Sequence, residues 1–208
     1  MAPQPKEPRG LLLIVCGPTG TGKTTVSERL AALHPGIERI VTCTTRSPRE
    51  REKDGVDYFF LSDPEFNAAL ARDEFLEWAH VHAWRYGTKK AAVFDRLAHG
   101  TDLLVNVDVQ GAQAYRKAFS DHPAMHGRLV TVFIMPPDLA TIQDRLVARG
   151  QDTPEQIERR LKTARDEMER WTEFDYCIVT GSKDQDFERL AGIWTAEKCR
   201  VSRLRASG

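Results

Sequence analysis

Charge of one sign is missing from this chain: 30 Lys and Arg stand against 30 Asp and Glu in 208 residues. No overall field draws it onto nucleic acid or an anionic membrane, so any anion site has to be built locally. Long apolar runs are missing as well. The clearest one near the start covers residues 11–16 and ends at Gly17-Pro18, far short of the ~20 residues that cross a bilayer and without the cleavage pattern of a secretory signal. Cysteine is scarce, with four residues and no Cys-x-x-Cys spacing. The sequence therefore predicts reduced thiols in a cytoplasmic protein, a monomer or small homo-oligomer that binds neither nucleic acid nor membrane. There is no internal repeat and no low-complexity tract. The 41% hydrophobic and 29% charged residues that remain suffice for one soluble α/β core.

A mobile tail is expected over residues 1–10, which hold Pro3, Pro5 and Pro8. Residues 11–15 form an unbroken apolar run between glycines, the pattern of a parallel strand buried on both faces. A helix is predicted from Val26 to the His34-Pro35-Gly36 stop. Next come a short strand at 40–44, a charged stretch at 46–57, and a helix from Phe66 with Asp63 as its cap. A strand at 75–80 and a helix at 89–98 follow. Further central strands are predicted at 102–109, 129–135 and 176–180, with helices at 111–119, 138–147, 154–171 and from Phe187 to about Leu204. Strands alternating with helices imply a largely parallel sheet.

Gly17-Pro18-Thr19-Gly20-Thr21-Gly22-Lys23-Thr24 fits G-x-x-x-x-G-K-[ST] at every fixed position, after a strand and before a helix. Glycines let the backbone wrap a polyphosphate with its N–H groups turned inward, at the positive end of the following helix. Lys23 is expected to reach the β- and γ-phosphates of a nucleoside triphosphate, and the Thr24 hydroxyl to ligate Mg²⁺.

Two other clusters have two readings each. Arg46, Arg49 and Arg51, with Tyr58 beyond, are either a solvated face interleaved with Glu50, Glu52 and Asp57 or a second phosphate site built of guanidinium forks. Arg145, Arg149, Arg159 and Arg160 flank a turn at Gly150, either as an exposed helix pair or as a closing hairpin that brings positive charge to a migrating phosphoryl group.

These segments, with Thr44-Thr45-Arg46-Ser47-Pro48-Arg49, Asp57-Tyr58-Phe59-Phe60, Phe75-Leu76-Glu77-Trp78, Tyr86-Gly87-Thr88 and Val107-Asp108-Val109-Gln110-Gly111, resemble in order the guanylate kinases from about Leu11 to Leu204. The resemblance implies a three-layer P-loop fold with a core (residues 11–41, 91–142 and 166–208), a small α+β GMP-binding insertion (42–90) and a helical lid (143–165). It implies transfer of the γ-phosphate of ATP to GMP or dGMP, with Mg²⁺. Gly17, Pro18, Thr19, Gly20, Thr21, Gly22, Lys23, Thr24, Thr25 and Arg145 would bind ATP. Arg46, Arg49, Tyr58 and Tyr86 would hold the GMP phosphate, with Glu52 orienting the arginines. Thr42, Glu77, Thr88 and Asp108 would read guanine, and Lys23, Arg46, Arg149 and Arg160 would stabilise the transfer. Guanine offers N1–H and N2–H to a carboxylate, which adenine does not. The chain departs from the family in three places: Asn106 for a usual aspartate, Thr180-Gly181-Ser182 after the last strand, and Thr42 for a usual serine. An interaction module with an eroded loop and a sugar-phosphate kinase on the same scaffold are the alternatives. The intact Gly22-Lys23-Thr24 speaks against the first and Glu77 with the arginine loop against the second.

Overall fold

The computed structural model describes residues 5–6, 10–50, 52–81, 83–150 and 152–206, with backbone alone at Pro5, Lys6, Val81, Arg149, Arg205 and Ala206. After β1 (Pro5–Lys6) comes the apolar run as β2 (Leu12–Cys16), buried at every position. It is the middle of a five-stranded parallel sheet. With β3 (Ile37–Arg39), β8 (Asp102–Asn106), β9 (Leu129–Met135) and β10 (Tyr176–Val179), the order is β10-β9-β2-β8-β3.

Alternate residues of β2 face opposite layers, which explains why the run shows no polar position. Leu13 and Val15 pack with Val26 and Leu30 of α1 (Lys23–Leu33) and with Leu190 of α7 (Lys183–Lys198). Leu12 and Ile14 pack with Val93 and Leu97 of α3 (Lys90–Ala98) and with Ala112 and Tyr115 of α4 (Val109–Asp121). Truncating one of these leucines to alanine is expected to cost about 2–5 kcal/mol.

A second sheet joins β4 (Thr42–Thr44), β5 (Tyr58–Phe60), β6 (Phe75–Val81) and β7 (Trp84–Lys89) in the order β5-β4-β7-β6, with only the β4–β5 pair parallel. Its small core sets Cys43 and Phe75 against Phe66 and Ala69 of α2 (Asp63–Ala71), with the Phe66 and Phe75 rings stacked at 4.5 Å. The helical pair α5 (Leu139–Arg149) and α6 (Pro154–Met168) closes on Ile142, Leu146 and Ala164, and Gly150 at φ 61° ends α5.

Several expectations change: the strand expected at 102–109 ends at Asn106, with Val109 already in α4, and the helix expected at 154–171 ends at Met168. The strand expected at 40–44 shortens to β4 (Thr42–Thr44) in the second sheet, and an unexpected strand, β3, precedes it as an edge of the core sheet. With only Ile37 buried in β3, no apolar run marked it. The cap of α2 is Ser62, one residue before Asp63, in a reciprocal capping box with Glu65. The last helix starts four residues before Phe187, at Lys183 with Ser182 as its cap, and ends at Lys198. Within the expected tail, Pro5 and Lys6 pair with Ala206 and Arg205 of β11 (Arg205–Ala206), through backbone bonds that need no particular side chain.

Candidate active site

The loop between β2 and α1 takes its shape from glycine. Gly17, Gly20 and Gly22 have φ of 136°, 81° and 94°, and a Cβ on Gly17 would lie 2.3 Å from the Ile134 carbonyl oxygen. L-residues with side chains are strained there. Thr21 Oγ1 donates to the Pro18 carbonyl at 2.9 Å, and Lys23 Nζ donates to the carbonyls of Gly17 and Pro18 at 2.6 and 2.8 Å. Gly22 caps α1 without any side-chain acceptor, whereas α2, α4, α5, α6 and α7 each have one. The positive end of α1 thus faces the loop without a side-chain cap of its own. Thr24 and Thr25 are exposed in that first turn.

α6 faces this loop across a cavity of about 490 Å³ lined by Thr19, Gln156, Arg159, Arg160, Thr163 and Glu167. Arg145 of α5 donates from Nη1 to the Gly20 carbonyl at 2.9 Å, tying the helical pair to the loop. Arg160 Nη2 stands 3.0 Å from Asp152 Oδ1. The side chain of Arg149, like the whole of Arg51, lies outside the described residues. Burial pushes the Glu167 carboxyl up to about 7 against the pull of Lys23, and the Asp108 charge adds to the rise. Glu167 escaped the sequence reading. Its position seven residues beyond Arg160, two helical turns on the same face, was the available signal.

In the second sheet Arg46 is held by Glu52, whose two carboxylate oxygens each lie 2.8 Å from Nη2. The Arg49 backbone N–H donates to the same carboxylate at 2.8 Å, while the Arg49 side chain is exposed. Together the Arg49 N–H and the Arg46 guanidinium hold Glu52 below the usual carboxylate range. Cζ of Arg46 lies 5.5 Å from the Tyr58 ring centre, and the Tyr58 and Tyr86 rings meet edge-on at 5.9 Å. Both tyrosines, with Thr42, Glu77, Asp108 and Asn106, line a cavity of about 180 Å³. Thr42, Tyr58 and Asn106 also line an adjoining cavity of about 160 Å³ that includes Thr24, so the two sheets share one cleft.

Burial pushes Glu77 up to about 7, opposed by a hydrogen bond from Thr88 and reinforced by the Asp108 charge. Thr88 is fully buried behind Glu77, donating from Oγ1 to Glu77 Oε1 at 2.8 Å, so it touches the cleft through that carboxylate. Asp108 caps α4 by accepting the Gly111 N–H at 2.7 Å. Asn106 Oδ1 accepts from Ser27 Oγ at 2.7 Å, which joins the end of β8 to α1. No local signal pairs Ser27 with a residue 79 positions away.

The guanylate kinase family model matches residues 9–197. The guanylate kinase of Maricaulis maris is 45% identical over 197 residues, covering 95% of this chain and 87% of that protein. That of Polaromonas sp. is 41% identical over 196 residues, covering 94% and 92%. The crystal structure of guanylate kinase from Anaplasma phagocytophilum superposes with a TM-score of 0.76 at 28% identity, over 97% of this chain and 92% of that one. The glycine-shaped loop before α1, the Arg46–Glu52 pair beside the second sheet and this likeness over nearly the whole length lead to one conclusion: the chain belongs to the guanylate kinase family.

Proposed function

We propose that this chain catalyses the reaction of its family, ATP + GMP ⇌ ADP + GDP, with dGMP as a second acceptor and in the cytoplasm. The observation that carries the reading is the shared cleft, in which Thr24 at the phosphate loop and Glu77 at the insertion are joined through Thr42, Tyr58 and Asn106. A donor and an acceptor nucleotide can meet there end to end.

On this reading the loop N–H groups and the uncapped start of α1 hold the β- and γ-phosphates. Lys23 exchanges the Gly17 and Pro18 carbonyls for phosphate oxygens. Arg46, already oriented by Glu52, takes the GMP phosphate together with Arg49, Tyr58 and Tyr86. Glu77 accepts N1–H and N2–H of guanine, assisted by Thr42 and Asp108. An oxygen of the GMP phosphate is an anionic nucleophile at neutral pH, so no general base is needed and catalysis rests on positioning and charge neutralisation. Arg160 and Arg149 bring positive charge to the migrating group as α5 and α6 close and exclude water.

Mg²⁺ fits this donor set. The Thr24 hydroxyl, exposed in the first turn of α1 and lining the cleft, would bind a hard cation alongside phosphates and water, the oxygen ligands Mg²⁺ favours. When bound, the ion neutralises phosphate charge.

A panel of phosphate acceptors assayed for ADP release tests the assignment. GMP and dGMP are expected to turn over, with AMP slower by about 10⁴-fold, as expected of a site that bonds a group the analogue lacks. Equal rates for AMP and GMP would overturn it, as would full activity in excess EDTA for the metal.

A further inference from the structure

Behind the guanine-facing carboxylate lies a buried chain of three side chains. Tyr115 of α4 is fully buried, and its hydroxyl lies 2.8 Å from Thr88 Oγ1. Thr88, fully buried too, lies 2.8 Å from Glu77 Oε1. We propose that Tyr115 is a positioning residue for base recognition: by donating to Thr88 it sets the direction of this chain, so that Glu77 meets the base as a hydrogen-bond acceptor. The inference rests on the assignment of Glu77 to guanine.

Counting protons gives the direction. Each hydroxyl has one proton, and among the described residues Thr88 is the one hydrogen-bond partner of the Tyr115 hydroxyl. If Thr88 gave its proton to Tyr115, the phenol proton would be left buried without an acceptor, at the cost of an unmade hydrogen bond. Tyr115 therefore donates to Thr88, Thr88 donates to Glu77, and Oε1 of Glu77 accepts. Consecutive hydrogen bonds polarise one another, which strengthens the last. The rest of the carboxylate is left for the cavity it lines.

The chain has an opponent. Burial and the Asp108 charge at the start of α4 favour the neutral acid and push Glu77 up to about 7. The other titratable groups around it are Tyr115 of α4 and, across the cavity, Tyr58 of β5 and Tyr86 of β7. A protonated Glu77 would present a donor toward guanine N1–H and N2–H, the wrong polarity. Replacing the phenol by a phenyl ring keeps the packing but removes the donor that polarises Thr88, so the Thr88 bond to ionised Glu77 weakens and the neutral acid gains.

The test is the pH profile of kcat/KM for GMP at saturating ATP, in wild type and Tyr115→Phe. The acid limb is expected to move up by about half a pH unit or more, giving about a three- to tenfold loss near pH ~6 and less than about twofold above pH ~8.5. KM for ATP should stay unchanged. The second ionisation of GMP, near pH ~6, is common to both enzymes and cancels in the ratio. A parallel loss at every pH, an unmoved limb, or an equal rise in KM for ATP would mark a packing role and overturn the inference. Thr88→Val removes the middle link; it must move the limb the same way, and adding Tyr115→Phe to it must move it no further. An additive shift would overturn the chain, and if Tyr115→Phe folds poorly the Thr88→Val limb decides. Glu77→Gln separates the two claims. Unchanged GMP kinetics there would refute the guanine assignment itself, whereas impaired GMP kinetics with an unmoved Tyr115→Phe limb would refute only the role of Tyr115.

Discussion

On the proposed reading, the glycine loop after β2 and the second sheet prepare for the same chemical group, a nucleotide phosphate, by opposite means. The loop does so with backbone: three glycines at positive φ and an uncapped helix start, over eight consecutive residues, with Lys23 bonded to the loop's own carbonyls. The second sheet does so with side chains that hold one another, Glu52 gripping Arg46 and the Arg49 backbone while Tyr58 and Tyr86 come from two other strands. A backbone nest concentrates its effect in one lysine and a few glycines, whereas a side-chain network spreads its effect over several members. Single substitutions in the two regions should differ accordingly.

The largest loss is expected at Lys23. Lys23→Ala should lower kcat by about 10³-fold with KM for GMP nearly unchanged, because the ammonium contact strengthens as charge moves onto the β- and γ-oxygens. Circular dichroism should show the fold intact. Turnover within about tenfold of wild type would remove the contrast. Arg160→Ala should follow, lowering kcat by about 10²-fold more than it raises either KM, since its guanidinium lines the loop cavity and pairs with Asp152 at 3.0 Å. An unchanged kcat would return α5 and α6 to a plain surface hairpin.

In the insertion, Glu77→Gln keeps the size and loses one of two acceptors. Steady-state kinetics should show kcat/KM for GMP falling about tenfold or more, at ~1.4 kcal/mol per decade, with the slow AMP rate hardly altered. Glu52→Gln should do less. It leaves Arg46 with the amide oxygen at position 52, the Ser47 carbonyl and its aromatic neighbours, so KM for GMP should rise about three- to fivefold while KM for ATP stays put. A loss as large as that of Lys23→Ala would mean that the insertion also depends on a single residue.

The smallest effect is one of stability. The Glu167 carboxyl is raised to about 7 in the fold, so between the ordinary carboxylate range and about 7 the folded state binds more protons than the unfolded one. Stability contributed by this group therefore falls as pH rises through that window and stays low above it. Glu167→Gln, which has no charge to bury, should raise Tm near pH ~8 by about 2–4 °C for each kcal/mol relieved and leave it unchanged near pH ~5. An equal rise at both values would point to packing instead.

The phosphate loop was legible because every part of it is local: strand, glycines, lysine and helix follow within residues 12–33, and each carries a conformational or chemical requirement that only a few residue types meet. The central strands β2, β8 and β9 were legible for a related reason, since burial on both faces makes them rich in apolar residues with little alternation. β3 was not, because an edge strand with one buried residue imposes no such pattern. The resemblance supplied Glu77, Arg46 and Asp108 as an ordered set, and which of them share a cleft was decided by the second sheet and the start of α4. The Tyr115–Thr88–Glu77 chain, the Ser27 bond to Asn106 and the turn of Glu167 toward the loop were decided by tertiary structure alone. Sequence determines what the backbone must do within a few residues, while a hydrogen bond between residues 27 or 79 positions apart exists only once packing has brought its ends together and excluded the water that would otherwise replace it.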